Sequence, residues 1–182
     1  MEQQQVREEA ARREQRDAAV DDVQRLWAPW RYGYVAGDGD GIEGCPFCVL
    51  PAREDDRDTL IVHRGHHSYV ILNAYPYNPG HLMVVPNEHT EDLTSLDEEV
   101  AAEMWRLGRQ AVSVLRERLR CAGVNLGMNL WRAGGAGIAD HVHLHAVPRW
   151  GGDTNFISVV GATRVLPQAL DEVYDVLAPG FA

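Results

Sequence analysis

No apolar run in this 182-residue chain approaches the ~18 residues of a membrane span. Positive charge is scarce as well: 17 basic against 27 acidic residues leave a formal net charge of −10. That balance argues against non-specific binding to DNA, RNA or an anionic membrane, so neither nucleic acid nor membrane is expected as a partner. It leaves room for a small phosphorylated ligand, which needs only a local cluster of donors. Cysteine is rare and odd in number, three in all, and does not read as a disulfide framework. The opening residues are polar and charged, unlike a secretory leader, and the expected location is cytoplasmic. No internal repeat is present.

What remains suits a globular domain: 45% of the residues are apolar and 24% charged, over a length that can bury a sizeable core. Residues 1–26 mix both charges at high density, which predicts a charged N-terminal helix or tail appended to a domain over 27–182. "RLWAPWRYGYV", Arg25 to Val35, is rich enough in tryptophan and tyrosine to gain by wrapping onto that domain. "AGDGDGIEG" reads as a loop and "PAREDDRD", Pro51 to Asp58, as a charged connection. His67–Asn73 and His81–Pro86 read as short buried strands, joined through "AYPYNPG" by a turn. Ser95 and Glu98 match a capping box, and Val100, Met104, Leu107, Ala111 and Leu115 give one apolar helical face to about Leu119. "GVNLGMNL" and His141–Pro148 read as further strands, and Leu166–Leu177 as a closing helix. The expected fold class is α+β, an antiparallel sheet packed by one long helix.

Three of the eight histidines alternate in "ADHVHLHAVPRW". In extended backbone, alternate side chains share a face, so His141, His143 and His145 point one way and Val142, Leu144 and Ala146 the other. The apolar set supplies burial and frees the histidines to line a cavity. A polar face turned to water is the bland alternative, and three histidines in three alternating places make it a poor one. Two chemical readings stand: a metal site, or nucleophilic catalysis, for which a largely neutral imidazole suits attack on phosphorus. The glycine-rich loop "AGGAG", Ala133 to Gly137, precedes the row and could turn backbone N–H groups toward a phosphate. Most such loops are only turns.

Several separated motifs, "HVHLHAV", "NAYPYNPGHLMVVPNEH", "RLWAPWR", "GCPFC" and "PRWGGDTNF", make the chain resemble the histidine-triad (HIT) superfamily. They resemble most the bacterial branch containing diadenosine tetraphosphate phosphorylases, from about Arg25 to Phe156. The resemblance implies a HIT-like fold, usually homodimeric, and a nucleotidyl transferase or hydrolase acting on dinucleoside polyphosphates. The middle histidine, His143, would attack the α-phosphorus to give a nucleotidyl-histidine, which inorganic phosphate or water would then resolve. His145 would hydrogen-bond the phosphate or bridging oxygen, and His81 would support the geometry. Asn73 falls where ribose is usually bound; Asn129 and the Gly135, Ala136 and Gly137 backbone would surround the phosphates. Trp150 could border the substrate or simply pack.

At the position four before the first triad histidine, hydrolases of the fragile-histidine-triad type carry glutamine and characterised phosphorylase-type relatives serine; here it is Gly137. Phosphorolysis to ADP and ATP is expected from the surrounding motifs, with hydrolysis of a dinucleoside polyphosphate or nucleoside phosphoramidate as the alternative. The pair Cys45 and Cys48 admits two readings of its own. It could be a redox couple, though no strand precedes it as a thiol oxidoreductase requires. It could instead give two thiolates to a structural zinc ion, with the resemblance naming His89 and His141 as the other ligands. No organic cofactor is expected. A non-catalytic nucleotide-binding protein is the remaining alternative, in which His143 would be dispensable. Cys121 reads as a small core residue, and His63, His66 and His67 in "VHRGHHS" as an exposed turn before a strand.

Overall fold

The first described helix, α1 (Pro46–Val49), forms at "CPFC", because Pro46 presets the first helical φ and has no N–H to satisfy there. The computed structural model describes residues 43–153 and 168–182. The 1–26 segment, its boundary with the domain, the aromatic stretch Arg25–Val35, most of the loop after it and the end of "PRWGGDTNF" lie outside them.

After a 3-10 turn at Leu50–Ala52 come three strands: β1 (Ile61–Arg64), β2 (Ser68–Leu72) and β3 (Leu82–Pro86). Helix α2 (Glu98–Leu119) is followed by β4 (Gly123–Met128), β5 (Leu144–Arg149) and α3 (Leu170–Leu177). The strands form one antiparallel sheet in the order β1-β2-β3-β5-β4. This is the expected architecture, with the long helix across one face. Among the described residues, no helix is long and apolar enough to cross a membrane.

The sheet separates two apolar layers. Val100, Met104, Leu107, Ala111 and Leu115 of α2 pack with Val70, Leu82, Val84, Leu144 and Ala146, and with Leu177 of α3. Helix and strand approach closely at Gly108, where an added Cβ would sit 2.7 Å from Leu144 Cδ2. On the other face Phe47, Ile61, Tyr69, Ile71, Met83 and Val85 form a smaller cluster. Acidic Glu98 and Glu99 in the first turn of α2 and Arg116 and Arg118 in its last complement the helix dipole.

Five sequence expectations need correction. Ser95 does not cap α2: it ends a separate 3-10 turn, Leu93–Ser95, where its hydroxyl donates to Asp92 O at 2.8 Å, and the N-cap is Asp97. The strand expected from His141 begins at Leu144, since the ladder to β3 starts only there, so His141 and His143 lie on its extended approach. "VHRGHHS" is no simple turn, because His63 and Arg64 belong to β1 and only Gly65–His67 turn the chain. The closing helix starts at Leu170, after Gln168 and Ala169, while Leu166 lies outside the described residues, and the strand "GVNLGMNL" ends two residues early, at Met128.

Candidate active site and metal centre

The alternation of the histidine row survives the late start of β5. Val142, Leu144 and Ala146 enter the layer under α2, while the three imidazoles turn to the other face and are all buried. What distinguishes the three rings is the partner of each nitrogen.

His141 Nε2 lies 2.9 Å from the carbonyl oxygen of Pro86, so this nitrogen carries the proton and donates. Its Nδ1 lone pair therefore faces the thiols, 3.4 Å from Cys45 Sγ and 3.6 Å from Cys48 Sγ. His89 Nδ1 lies 3.2 Å from Cys48 Sγ. The four ligand atoms of Cys45, Cys48, His89 and His141 all fall within 4.8 Å of one another. A tetrahedron with Zn–S of ~2.3 Å and Zn–N of ~2.0–2.1 Å has S···N edges of about 3.5 Å, close to the separations found. The donor set and its spacing thus fit zinc. Burial pushes the Cys45 thiol up and the His141 imidazole down in pKa. A bound cation would oppose the first effect and favour thiolate. Thiols turned toward two imidazoles, beside a wholly antiparallel sheet among the described residues, do not form the strand-and-helix setting of a redox couple.

His143 Nδ1 lies 2.8 Å from the carbonyl oxygen of His141 and donates to it. Its Nε2 then holds the lone pair. Burial lowers the pKa of His143, which keeps the ring neutral near pH 7. Phe47 packs against both neighbours, its ring centroid 5.5 Å from His141 and 5.0 Å from His143. The apolar residue between the two cysteines thereby wedges the Cys/His quartet against the second histidine.

The third ring has its orientation set from outside the row. Gly80, at φ +83°, ends the turn before β3, where a Cβ would meet Leu119 Cδ1 at 2.4 Å. The next residue is the fully buried His81. Its Nδ1 accepts from the Tyr77 backbone N–H at 3.1 Å and lies 3.2 Å from the Asn73 side-chain amide. A backbone N–H can only donate, so neutral His81 carries its proton on Nε2 and gives it to His145 Nδ1 at 2.9 Å. His145 accordingly bears its own proton on Nε2. Tyr77 lies over both rings, with centroids 4.5 Å from His81 and 5.8 Å from His145.

The other expected contacts are less concentrated. The Asn73 side-chain oxygen accepts from Tyr75 N, so part of this side chain shapes the turn that carries Tyr77. The β4–β5 register ends at Met128 opposite Leu144, which points Asn129 toward the level of His143. Gly135 and Ala136 N–H donate to Arg132 and Trp131 carbonyls within their own turn. Any phosphate contact of theirs requires that turn to open. Trp150 packs partly buried against the layer under α2, opposite the histidines. The sequence reading missed Asp153, which accepts from Arg149 Nε at 2.6 Å, Asn78 Nδ2 at 2.9 Å and Trp150 N at 3.3 Å. Asn78 also donates to Pro148 O, tying the turn before His81 to the end of β5. The one available signal was an aspartate four residues after an arginine at the end of a strand.

A family model described as HIT domain matches residues 54–152. The chain is 40% identical over 169 residues to a Mycobacterium tuberculosis protein named AP-4-A phosphorylase, covering 89% of this chain and 86% of that one. Among solved structures, a zinc-bound histidine triad family protein from Mycobacterium smegmatis matches with a TM-score of 0.62 at 26% identity. That match covers 76% of this chain and 93% of the other. A hypothetical histidine triad nucleotide-binding protein from Sulfolobus tokodaii gives 0.59 at 25% identity, over 75% and 89%.

Proposed function

This chain belongs to the HIT domain family, and from that premise we propose that it is an enzyme acting on dinucleoside polyphosphates through His143. Its reaction is phosphorolysis of diadenosine tetraphosphate to ADP and ATP. The observation that carries the reading is the pair of opposed tautomers on one face. His143 presents a lone pair on Nε2 and its neighbour His145 presents an N–H on Nε2.

In the first half-reaction His143 Nε2 attacks the α-phosphorus. The N–P bond forms, the bond from phosphorus to the bridging oxygen breaks, and ATP departs with that electron pair. Positive charge develops on the ring, and the His141 carbonyl opposite Nδ1–H stabilises it. His145 donates its Nε2–H to the departing or non-bridging oxygen. It does so as a neutral hydrogen-bond donor, because the Tyr77 N–H holds the proton of His81 on the nitrogen that faces His145. A second proton on His145 Nδ1 would collide with that donor. In the second half-reaction an oxygen of inorganic phosphate attacks the adenylyl phosphorus, the P–N bond breaks, and ADP leaves with His143 restored.

Zinc in the quartet of Cys45, Cys48, His89 and His141 would be structural, with all four positions filled by protein. It would fix the extended approach to β5, where the His141 carbonyl partners the nucleophile. Asn73, Asn129, Gly137 and, with the turn opened, Gly135 and Ala136 are the proposed substrate contacts; for Trp150 the packing favours support of β5. A homodimer belongs to the same reading: the exposed rings of Trp105 and Trp131 suit a covering surface, and sedimentation should return about twice the 20.3 kDa chain mass.

The test is incubation with diadenosine tetraphosphate with and without inorganic phosphate. Phosphate-dependent ADP plus ATP is the expected product pair. AMP plus ATP without phosphate would assign hydrolysis instead, and no turnover of this substrate or of an AMP phosphoramidate would refute the enzymatic reading.

A further inference from the structure

One further pair of imidazoles meets outside the site already described, in the turn between β1 and β2. His66 Nδ1 lies 3.0 Å from His67 Nε2, with the rings nearly perpendicular at 78° and their centroids 4.3 Å apart. His67 Nε2 is also 3.8 Å from Glu99 Oε2 in the first turn of α2. The two rings open onto a shallow cleft of about 610 Å³, to which Glu88, Asp97, Glu98 and Glu99 contribute carboxylates.

The backbone beneath them is fixed from two sides. The N–H groups of His66 and His67 both donate to the buried carboxylate of Glu103 on α2. Their carbonyls accept from Asn87, His66 O from the side chain at 3.2 Å and His67 O from the backbone at 2.8 Å. Glu103 is thus committed to the turn, while Glu99, one helical turn earlier, is exposed and approaches the His67 ring. Two adjacent histidines on a held turn present nitrogens close to the ~3.3 Å edge of a tetrahedron built on Zn–N bonds of ~2.0–2.1 Å. Surrounding carboxylates repel an anion and favour a cation.

We propose that His66 and His67, joined by the exposed Glu99 side chain as it turns in toward both rings, form a second metal site, for a divalent transition ion of borderline softness such as nickel or zinc. Imidazole and carboxylate donors without thiolate separate it from the cysteine-bearing quartet, which is the better zinc site of the two. With three protein ligands it keeps water on the ion. Its structural effect is to clasp the β1–β2 turn to the start of α2, alongside the Glu103 clamp.

The experiment uses the full chain, free of any polyhistidine tag, first loaded to one zinc per chain and then titrated with nickel by calorimetry. The wild type should take one further ion per chain. His66→Ala and His67→Ala should each weaken that event by at least the ~10–100-fold that loss of a supporting partner costs. Glu99→Gln, on an exposed side chain whose change leaves packing intact, should weaken it measurably while the melting curve without nickel stays put. Copper(II) bound at the same site should show hyperfine coupling to two imidazole nitrogens. Absence of a second stoichiometric event, or its survival in the His66→Ala/His67→Ala double variant, would overturn the proposal. Neither result bears on the role of His143.

Discussion

His143 and His145 sit two residues apart on one face, yet their protons are on opposite nitrogens. The His141 carbonyl fixes one and the Tyr77 N–H, relayed through His81, fixes the other. Loss of the proposed nucleophile, His143, should therefore be far more damaging than loss of the relay. His143→Ala should reduce turnover by ~10⁴-fold or more, as removal of a covalent nucleophile does elsewhere. His81→Ala should lower kcat by about 10²-fold with KM little changed, in the range expected for misplacing a proton-bearing group, and should leave the covalent adduct detectable. Steady-state kinetics on both variants checks the contrast, and equal losses would contradict it. The row itself was legible in the sequence, because period-two alternation of histidine with apolar residues reports a shared face. The tautomers were not, since two of the atoms that determine them, His141 O and Tyr77 N, are backbone atoms whose position no residue type announces.

Among the secondary-structure elements, two carboxylates hold the site's supports together. Glu103 joins α2 to the β1–β2 turn by accepting two backbone N–H groups. Glu103→Ala should destabilise the fold by about 2–3 kcal/mol, the loss expected when two hydrogen bonds to a charged group leave their donors behind. Chemical denaturation measures it. Asp153 joins the end of β5 to the turn before His81, and the Arg149 guanidinium beside it holds its carboxyl well below the usual carboxylate range. A pKa lower in the folded chain means that the stabilisation is fully present above the unfolded value of 3.8 and fades as pH falls below it. The stability gap between wild type and Asp153→Asn should accordingly be constant from pH 7 to 5 and shrink below pH 4. A gap that widened on acidification would contradict this assignment. Among the described residues, sequence reading found four of the five strands and the long helix, because their apolar periods are clear. It put the helix start at a capping box because Ser95 and Glu98 match the spacing, whereas the serine hydroxyl serves the preceding 3-10 turn. It passed over β1 because His63 and Arg64 look like turn residues, although His63 stacks on Phe181 at 5.7 Å.

Across the whole molecule, the metal quartet draws together residues 96 apart in sequence, from Cys45 beside α1 to His141 before β5. Phe47 lies between this closure and His143, the proposed nucleophile, so the two centres share one packed layer. Removal of zinc with a strong chelator should lower the melting temperature by about 10 °C, given ~2–4 °C per kcal/mol in a domain of this size. Cys45→Ser should reproduce the shift without chelator, and scanning calorimetry reads both. Two cysteines at a spacing of three were visible as half a metal site, and the resemblance supplied the other half. The wedge was not visible, because a phenylalanine between cysteines carries no signal of which rings it will touch. The bond that His143 is proposed to form can be sought directly. Mass spectrometry of acid-sensitive adducts, after brief mixing with diadenosine tetraphosphate in the absence of phosphate, should locate an adenylyl group on the peptide containing His143. The same group should be missing in His143→Ala and should be released as ADP when phosphate is added. An enzyme that turns over the substrate with no such adduct, or with the adduct on another residue, would contradict the account.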